Sequence, residues 1–320
     1  MRSSWTGLAV ALSLIAGFVS APSASIDQAS ATPAFIVAVD HPAGSSVESS
    51  LIPIARYTGT EWVNTWPPPD EASTPAPSLA QIPEAWLGGP VPNVWTRWAA
   101  DGSRLRVTVV APVRERRRCE TAIVLRIAGV ADGARDPWAP NAVRIAVNTN
   151  QPVEWVRAIA PDHRDAKEIR PVIEREYEES QARMAAARMA DWTTVLNALN
   201  AARAPMIVET LVGPSIDAGP VIYHFRAIRR VTPPRQSPMA IEVHGWLARA
   251  TDGTWAAFDT AREIRRGDGQ GQHRPLAIFR IGQRMYWLTM LIGYEGVGFA
   301  IDDVARGSVR RLVTARDGGC

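Results

Sequence analysis

The sequence predicts a β-rich α+β protein, in which two antiparallel sheet modules are joined by one central helix, long or broken. Short segments of alternating polar and apolar residues fill most of the chain on either side of residues 165–204. Turns that contain glycine separate these segments. Only residues 165–204 combine good helix formers with apolar side chains at helical spacing.

The apolar residues of the central segment form one stripe, which we expect to pack against a sheet. The stripe consists of Trp192, Val195, Leu196 and Leu199. Pro171 is expected in the first helical turn, where a missing N–H is tolerated, and Pro205 is expected to end the helix. Asp191 can cap a second, shorter helix. One long helix and two helices with a break near Asp191 therefore both fit the sequence.

Residues 1–31 have the pattern of a secretory signal peptide that is removed by cleavage. A positive residue, Arg2, precedes an apolar run from Leu8 to Val19, which is short for a bilayer span. Small residues follow, and Ala29-Ser30-Ala31 matches the cleavage rule. We therefore expect an exported protein, periplasmic or extracellular, with no transmembrane segment in the mature chain. An uncleaved membrane anchor is the alternative.

The composition is that of a protein that can bury a substantial core. The chain has 320 residues, of which 46% are hydrophobic and 21% are charged. A net charge of +3 is weakly basic, and together with an export signal it argues against a nucleic-acid partner. Lys167 is the only lysine among 35 basic residues. The arginine excess fits either codon bias or bidentate recognition of carboxylate and phosphate.

Two cysteines, Cys119 and Cys320, are the only thiols in the sequence. In an oxidising compartment they can form one disulfide, which would fix the end of the chain. Two unpaired thiols are the alternative. The usual thiolate spacings of zinc sites are absent, so we predict neither a metal site nor a cofactor.

The chain divides into four predicted segments after the signal peptide. They are an N-terminal β module at 32–150 with a Pro/Trp-rich loop at 67–92, a connector and helix at 151–204, a C-terminal antiparallel meander at 205–304, and a basic tail at 305–320. The turns within the meander are marked by glycine, most clearly at Asp252-Gly253.

Tryptophans gather around the Pro-rich loop and form a first candidate binding surface. They are Trp62, Trp66, Trp86 and Trp95. Aromatic rings beside proline are suited to stack on the flat faces of sugars or peptides. The alternative is that these rings fix a loop that has no helix or sheet of its own.

Arginines form a second candidate binding surface. They occupy the polar positions of three alternating strands and are Arg104, Arg106, Arg126 and Arg144. If these strands join one sheet, the four side chains share a solvent-side face that can hold an anionic polymer or a partner's carboxylates. The alternative is that charged residues merely occupy solvent-exposed positions.

A third candidate site lies in the C-terminal meander. His224 and Arg226 share one face of a predicted strand, and Glu242 and His244 share one face of another. If the two faces coincide, a His–Glu pair can serve as general base and orienting group, and two histidines can bind a metal. A slip of one residue in register moves either pair to the other face. The alternative is a solvent-facing sheet surface with ordinary polar residues.

No motif for a known catalytic or nucleotide site is present, including nucleophile elbows, zinc-protease helices and phosphate loops. The first functional hypothesis is therefore a non-catalytic binding or assembly protein of the cell envelope or exterior, whose partner is a protein or an envelope polymer. The second is a secreted hydrolase that acts on a polymer through His224, Glu242 and His244.

Overall fold

The computed structural model is β-rich, with 59% strand and 16% helix, which confirms the predicted class. It describes residues 34–40, 48–66, 78–117, 120–131, 143–186, 190–215, 221–232, 237–266, 272–293 and 296–319. Residues 1–31, predicted as a signal peptide, lie outside the described residues. None of the helices in the described part of the chain has an apolar stretch of sufficient length to span a bilayer.

Six of the first seven strands close into a cylinder, called here the closed sheet. The seven are β1 (Phe35–Asp40), β2 (Glu48–Tyr57), β3 (Trp62–Asn64), β4 (Val94–Trp98), β5 (Arg104–Arg117), β6 (Glu120–Ala131) and β7 (Arg144–Val147). The antiparallel order β1-β7-β4-β5-β6-β2 closes because β1 also pairs with β2, and β3 extends β2 outside the ring. A 3-10 turn (Leu79–Gln81) and a short helix, α1 (Glu84–Leu87), lie between β3 and β4.

The remaining strands form two five-stranded antiparallel sheets in the described part of the chain. The helix-covered sheet contains β9 (Arg157–Ala158), β10 (Ile207–Gly213), β11 (Ile222–Val231), β12 (Met239–Arg249) and β13 (Trp255–Arg266). The C-terminal sheet contains β8 (Glu154–Trp155), β14 (Gln272–Ile281), β15 (Arg284–Ile292), β16 (Gly296–Ala305) and β17 (Ser308–Gly319). The predicted turn at Asp252-Gly253 joins β12 to β13, with Gly253 at a φ of 86° that suits glycine.

Two helical segments pack on one face of the helix-covered sheet. They are α2 (Arg164–Ala186) and α3 (Ala190–Ala201), and residues 187–189 between them lie outside the described residues. Ile173 of α2 and Val195 of α3 share a hydrophobic core with Phe225 and Ile241 of the sheet. The expected packing of an apolar helical stripe against a sheet is therefore observed.

Pro171 lies inside α2 and not in its first turn, so the predicted placement is wrong. The helix begins earlier, at Arg164. Since proline lacks an N–H, the helix loses one backbone hydrogen bond at this point, and the buried side chains of Ile169 and Ile173 on either side hold it against the sheet.

The C-terminal sheet is covered on both faces. Its β15 packs through Trp287 against Trp246 of the helix-covered sheet, with ring centroids 4.9 Å apart. On the opposite face, Phe279 of β14 packs against Phe35 of β1, with centroids 6.0 Å apart. Strands from the beginning and the end of the chain therefore share one core. The prediction that a central helix joins two sheet modules is not confirmed, and the proposed domain boundaries stay a prediction.

Residues 305–320, predicted as a basic tail, contain a strand. β17 pairs with β16 from Ser308 to Gly319 and places Val313 in the core beside the closed sheet. Burial alternates from Val313 to Asp317, with Val313 and Asp317 buried and Thr314 and Arg316 exposed, which is the pattern of a strand with one buried face.

Cys119 and Cys320 both lie outside the described residues, and the disulfide, one of the two states that the sequence allows, stays a prediction. Described residues near the two cysteines are in contact, since Arg117 pairs with Asp317 at 3.2 Å and Glu120 pairs with Arg316 at 3.9 Å. Mass spectrometry of the oxidised protein should detect a peptide pair linked through Cys119 and Cys320, and a thiol reagent should label neither residue until a reductant is added. Labelling of both thiols in the unreduced native protein would contradict the pairing.

Candidate functional site

A layer of polar side chains lies between the helix-covered sheet and the C-terminal sheet. Successive residues of a strand point to opposite faces, and Ile222 and Trp246 pack against the C-terminal sheet. His224 and Arg226 on β11, together with Glu242 and His244 on β12, share that face. The register places Arg226 opposite His244. The structure therefore brings the four residues of the third candidate site together.

This face is not exposed to solvent, so the expectation of a solvent-facing sheet surface is wrong. Glu242 is 0% exposed, His224 is 3% exposed and His244 is 5% exposed. The C-terminal sheet covers them, and the alternation of one strand cannot reveal such a covering layer. We call His224, Arg226, Glu242, His244, Arg265 and His273 the buried polar cluster.

Glu242 is the centre of the buried polar cluster. Its Oε2 accepts hydrogen bonds from Nη2 of Arg226 at 2.8 Å and from Nη1 of Arg265 at 2.9 Å. Its Oε1 lies 3.5 Å from Nδ1 of His244. Burial alone raises the pKa of Glu242, but the contact with His244 and the charges of Arg226 and Arg265 outweigh burial and hold this pKa below its ordinary value. The carboxylate is thus ionised and engaged by two guanidiniums.

Three histidines extend the cluster towards the C-terminal sheet. The rings of His224 and His244 have centroids 6.2 Å apart, and those of His244 and His273 have centroids 4.8 Å apart. Burial, followed by the charges of His244, His273 and Arg226, lowers the pKa of His224 well below its ordinary value. Burial is also the main reason that the pKa of His273 is lowered to about 4. His224 and His273 are therefore neutral at pH 7.

No group of three or more His, Cys, Asp or Glu side chains within the described residues is arranged to hold a metal ion. In the buried polar cluster, the partners of Glu242 are guanidinium groups, and these cannot act as metal ligands because they carry donors only. The arrangement is suited to hold a carboxylate in place and to present arginine side chains beside it.

A pocket of about 120 Å³ opens next to the buried polar cluster. Its walls are formed by β10, β11, β12, β13 and the first residue of β14, together with the residue before β12. The lining residues are Glu209, Arg226, Ile228, Arg230, Pro238, Met239, Ala240, Arg265 and Gln272. Glu209 pairs with Arg226 at 2.5 Å and also with Arg230. The pocket thus has one wall of arginine side chains and another of apolar ones.

Sequence reasoning missed Glu209, Arg265 and His273. Arg265 lies within β13, which ends at Arg266, and His273 is the second residue of β14, which begins at Gln272. One signal was available in the sequence. The two strands of a tight hairpin pair residue by residue outwards from the turn. Since β12 has 11 residues before the turn at Asp252-Gly253, its partner β13 has to extend as far as Arg265. No feature of the neighbouring sequence indicates that Glu209 or His273 belongs to the site.

The tryptophans of the first candidate surface do not form one surface. Trp62 and Trp95 are buried in two different hydrophobic clusters. Trp66 and Trp86 are half-buried and meet edge to face, with centroids 5.4 Å apart. Nε1 of Trp66 donates to the backbone carbonyl of Ile123 at 2.6 Å. These rings attach the segment around α1 to the closed sheet.

The arginines of the second candidate surface lie in one sheet but not on one face. Arg104, Arg106 and Arg126 are exposed on the outside of the closed sheet. Arg144 is two residues before the interior residue Ala146 and lies 4.0 Å from the buried Asp40. The predicted stripe of four is therefore wrong for Arg144, because β7 presents that position to the interior of the closed sheet.

Comparison with known proteins gives no relative of this chain. No family model, no curated protein and no solved structure matches it. Its function has to be argued from the contacts and charges of the buried polar cluster and its pocket.

Proposed function

We propose that this chain is an exported, non-catalytic binding protein of the cell envelope or exterior, and that the pocket beside the buried polar cluster holds its partner. The observation that supports this proposal most is that Arg226, Arg230 and Arg265, from two strands that both flank β12 on the helix-covered sheet, line one pocket. Concave sites with a few convergent polar groups are the usual places where proteins hold ligands.

The position of the acid–base groups favours binding over catalysis. General acid–base catalysis needs a side chain within hydrogen-bond reach of the substrate. Glu242, His224 and His244 are almost completely buried and do not line the pocket. Arg226 and Arg265 separate Glu242 from the pocket and occupy one of its two oxygens. These groups therefore fix the arginines and have no access to a bound partner.

A hydrolase is the second candidate function. The observation that favours it is the distance of 3.5 Å between Nδ1 of His244 and Oε1 of Glu242, since a carboxylate that orients a histidine is a recurring part of hydrolytic sites. In this case the substrate would have to reach His244 between the two sheets. A second imidazole, that of His273, already lies against His244 there.

The proposal predicts that a change in the pocket weakens capture of a partner. In a pull-down from the envelope extract of the source cell at low and moderate salt, Arg230→Gln should recover less partner than the native protein. Arg230 is 56% exposed, so its replacement should leave the fold intact. Arg106→Gln, an exposed arginine on the closed sheet, is the matched control and should recover the native amount.

Two results would contradict the proposal. Loss of capture in Arg106→Gln and not in Arg230→Gln would place the binding site on the arginines of the closed sheet. Absence of any specific partner at both salt concentrations would favour the hydrolase. An assay of the native protein on envelope polymers, with His244→Gln as the inactive control, would then test for hydrolase activity.

A further inference from the structure

We propose that the pocket beside the buried polar cluster binds an oxyanion, namely a carboxylate, phosphate or sulfate group carried by the ligand, and that Arg226 is its main contact. This inference rests on the proposed function, because it names the chemistry by which the same pocket recognises its partner. It is carried by the hydrogen bonding of Arg226, by the sharing of carboxylates among arginines, and by the size and lining of the pocket.

Arg226 is a buried arginine with an unused donor. It is 7% exposed and lines the pocket. Its two terminal nitrogens are engaged, Nη1 with Oε2 of Glu209 and Nη2 with Oε2 of Glu242. Its Nε is buried and has no hydrogen-bond partner among the described residues. Since buried donors are almost always satisfied, this N–H group calls for an acceptor that the described residues do not supply.

The arginines share their carboxylates. Glu209 forms ion pairs with both Arg226 and Arg230, and Glu242 forms ion pairs with both Arg226 and Arg265. Each guanidinium carries five N–H donors in a planar fork, and Nε of Arg226 is not used by either carboxylate. Guanidinium forks match the oxygens of carboxylate and phosphate groups bidentately. The shared carboxylates thus orient Arg226 and Arg230, and donors of these two side chains remain for an anion.

The lining of the pocket favours an anionic group that is attached to a neutral or apolar body. Ile228, Pro238, Met239 and Ala240 contribute the apolar part of the lining, and Gln272 adds an amide. The volume of about 120 Å³ is large enough for a carboxylate, phosphate or sulfate group.

Isothermal titration calorimetry with sodium sulfate, sodium phosphate and sodium acetate, at constant ionic strength in chloride, tests this inference. The native protein should bind at least one of these anions saturably. Arg226→Lys keeps the charge but removes Nε–H and the planar fork, and it should bind about tenfold more weakly or worse. Arg230→Gln, a change at the exposed rim, should also weaken binding, so the test does not depend on Arg226→Lys folding.

Arg229→Lys is the matched control. Arg229 is the next residue on β11, but it points towards the helices and donates to the carbonyl oxygens of Ala204 and Leu199. This variant should bind the anions as the native protein does. If no anion binds saturably, or if Arg226→Lys and Arg230→Gln both bind like the native protein, the inference is overturned.

Two further arms identify the source of the anion and separate this inference from the proposed function. Tighter binding of dextran sulfate than of free sulfate, with no binding of neutral dextran, would support the inference and indicate a polymer-borne group. Equal affinity would support it with a free anion as the ligand. Sulfate binding without capture of any envelope partner would leave the anion site standing and refute the proposed function. Capture of a partner that neither added sulfate nor Arg226→Lys weakens would refute the anion site and leave the proposed binding function standing.

Discussion

Replacing Glu242 with glutamine is expected to lower the free energy of unfolding by about 3–5 kcal/mol, because loss of one member of a buried ion pair leaves the other charge uncompensated. Glu242 is the shared partner of Arg226 and Arg265, and all three side chains lie at least nine-tenths buried between two sheets. The amide keeps the shape of the carboxylate and removes only its charge. Chemical denaturation with urea, followed by tryptophan fluorescence, measures the loss.

The control for this experiment is Glu174→Gln. Glu174 forms an exposed ion pair with Arg170 one helical turn away, and such pairs contribute about 0.3–0.5 kcal/mol. If Glu242→Gln were no less stable than Glu174→Gln, Glu242 would not hold the two guanidiniums in the way that the distances indicate. The double variant Arg226→Gln/Glu242→Gln should lose less unfolding free energy than the sum of the losses in the two single variants, since the two side chains are coupled.

Acidification is expected to destabilise the protein in two stages. Because the folded-state pKa values of His224 and His273 lie below the ordinary histidine value, the unfolded chain binds protons first. The stability that these neutral histidines contribute is fully present above about pH 6.5 and declines as the pH falls towards 4. Each histidine contributes a slope of at most about 1.4 kcal/mol per pH unit. His224 and His273 should contribute about equally down to about pH 4, because the pKa of His273 is itself about 4.

Glu242 adds the second stage, and the effect of its protonation has the same sign. Its pKa is lowered in the folded protein, so its contribution is present above the ordinary glutamate value and is lost as the pH falls below about 4.5. Urea unfolding at a series of pH values from 8 to about 2.5 measures both stages. His224→Gln should make the first stage about half as steep, and His163→Gln, at an exposed histidine in the turn before α2, should leave it unchanged. Equal slopes for the native protein and His224→Gln would contradict the assignment.

Much of the candidate site could be predicted from strand alternation alone. Period two places His224 with Arg226 and Glu242 with His244 on one face each, and the structure brings these faces together. The covering layer could not be predicted, because burial of this face depends on Trp287 and its neighbours in a sheet formed later in the chain. A polar strand face looks the same in the sequence whether water or a second sheet lies against it.

The N-terminal half shows the same limit. The alternating strands of residues 104–147 were predictable, but closure of the sheet was not, since it requires β1 to pair with both β2 and β7. Closure creates an interior, and this interior receives Trp95 and the Arg97–Asp40 pair. Composition suggested surface roles for tryptophan and arginine near the Pro-rich loop, whereas topology decided which of them are enclosed.

The contact between Phe35 and Phe279 has a consequence for the order of folding events. β1 and β2 cannot cover their outward face until β14 to β17 exist, because that face packs on the C-terminal sheet. Contacts between the two ends of a long chain form slowly, and the chain exposes apolar surface until they form. The outward face of β1 and β2 is thus protected from aggregation only after strands more than 200 residues later in the chain have formed.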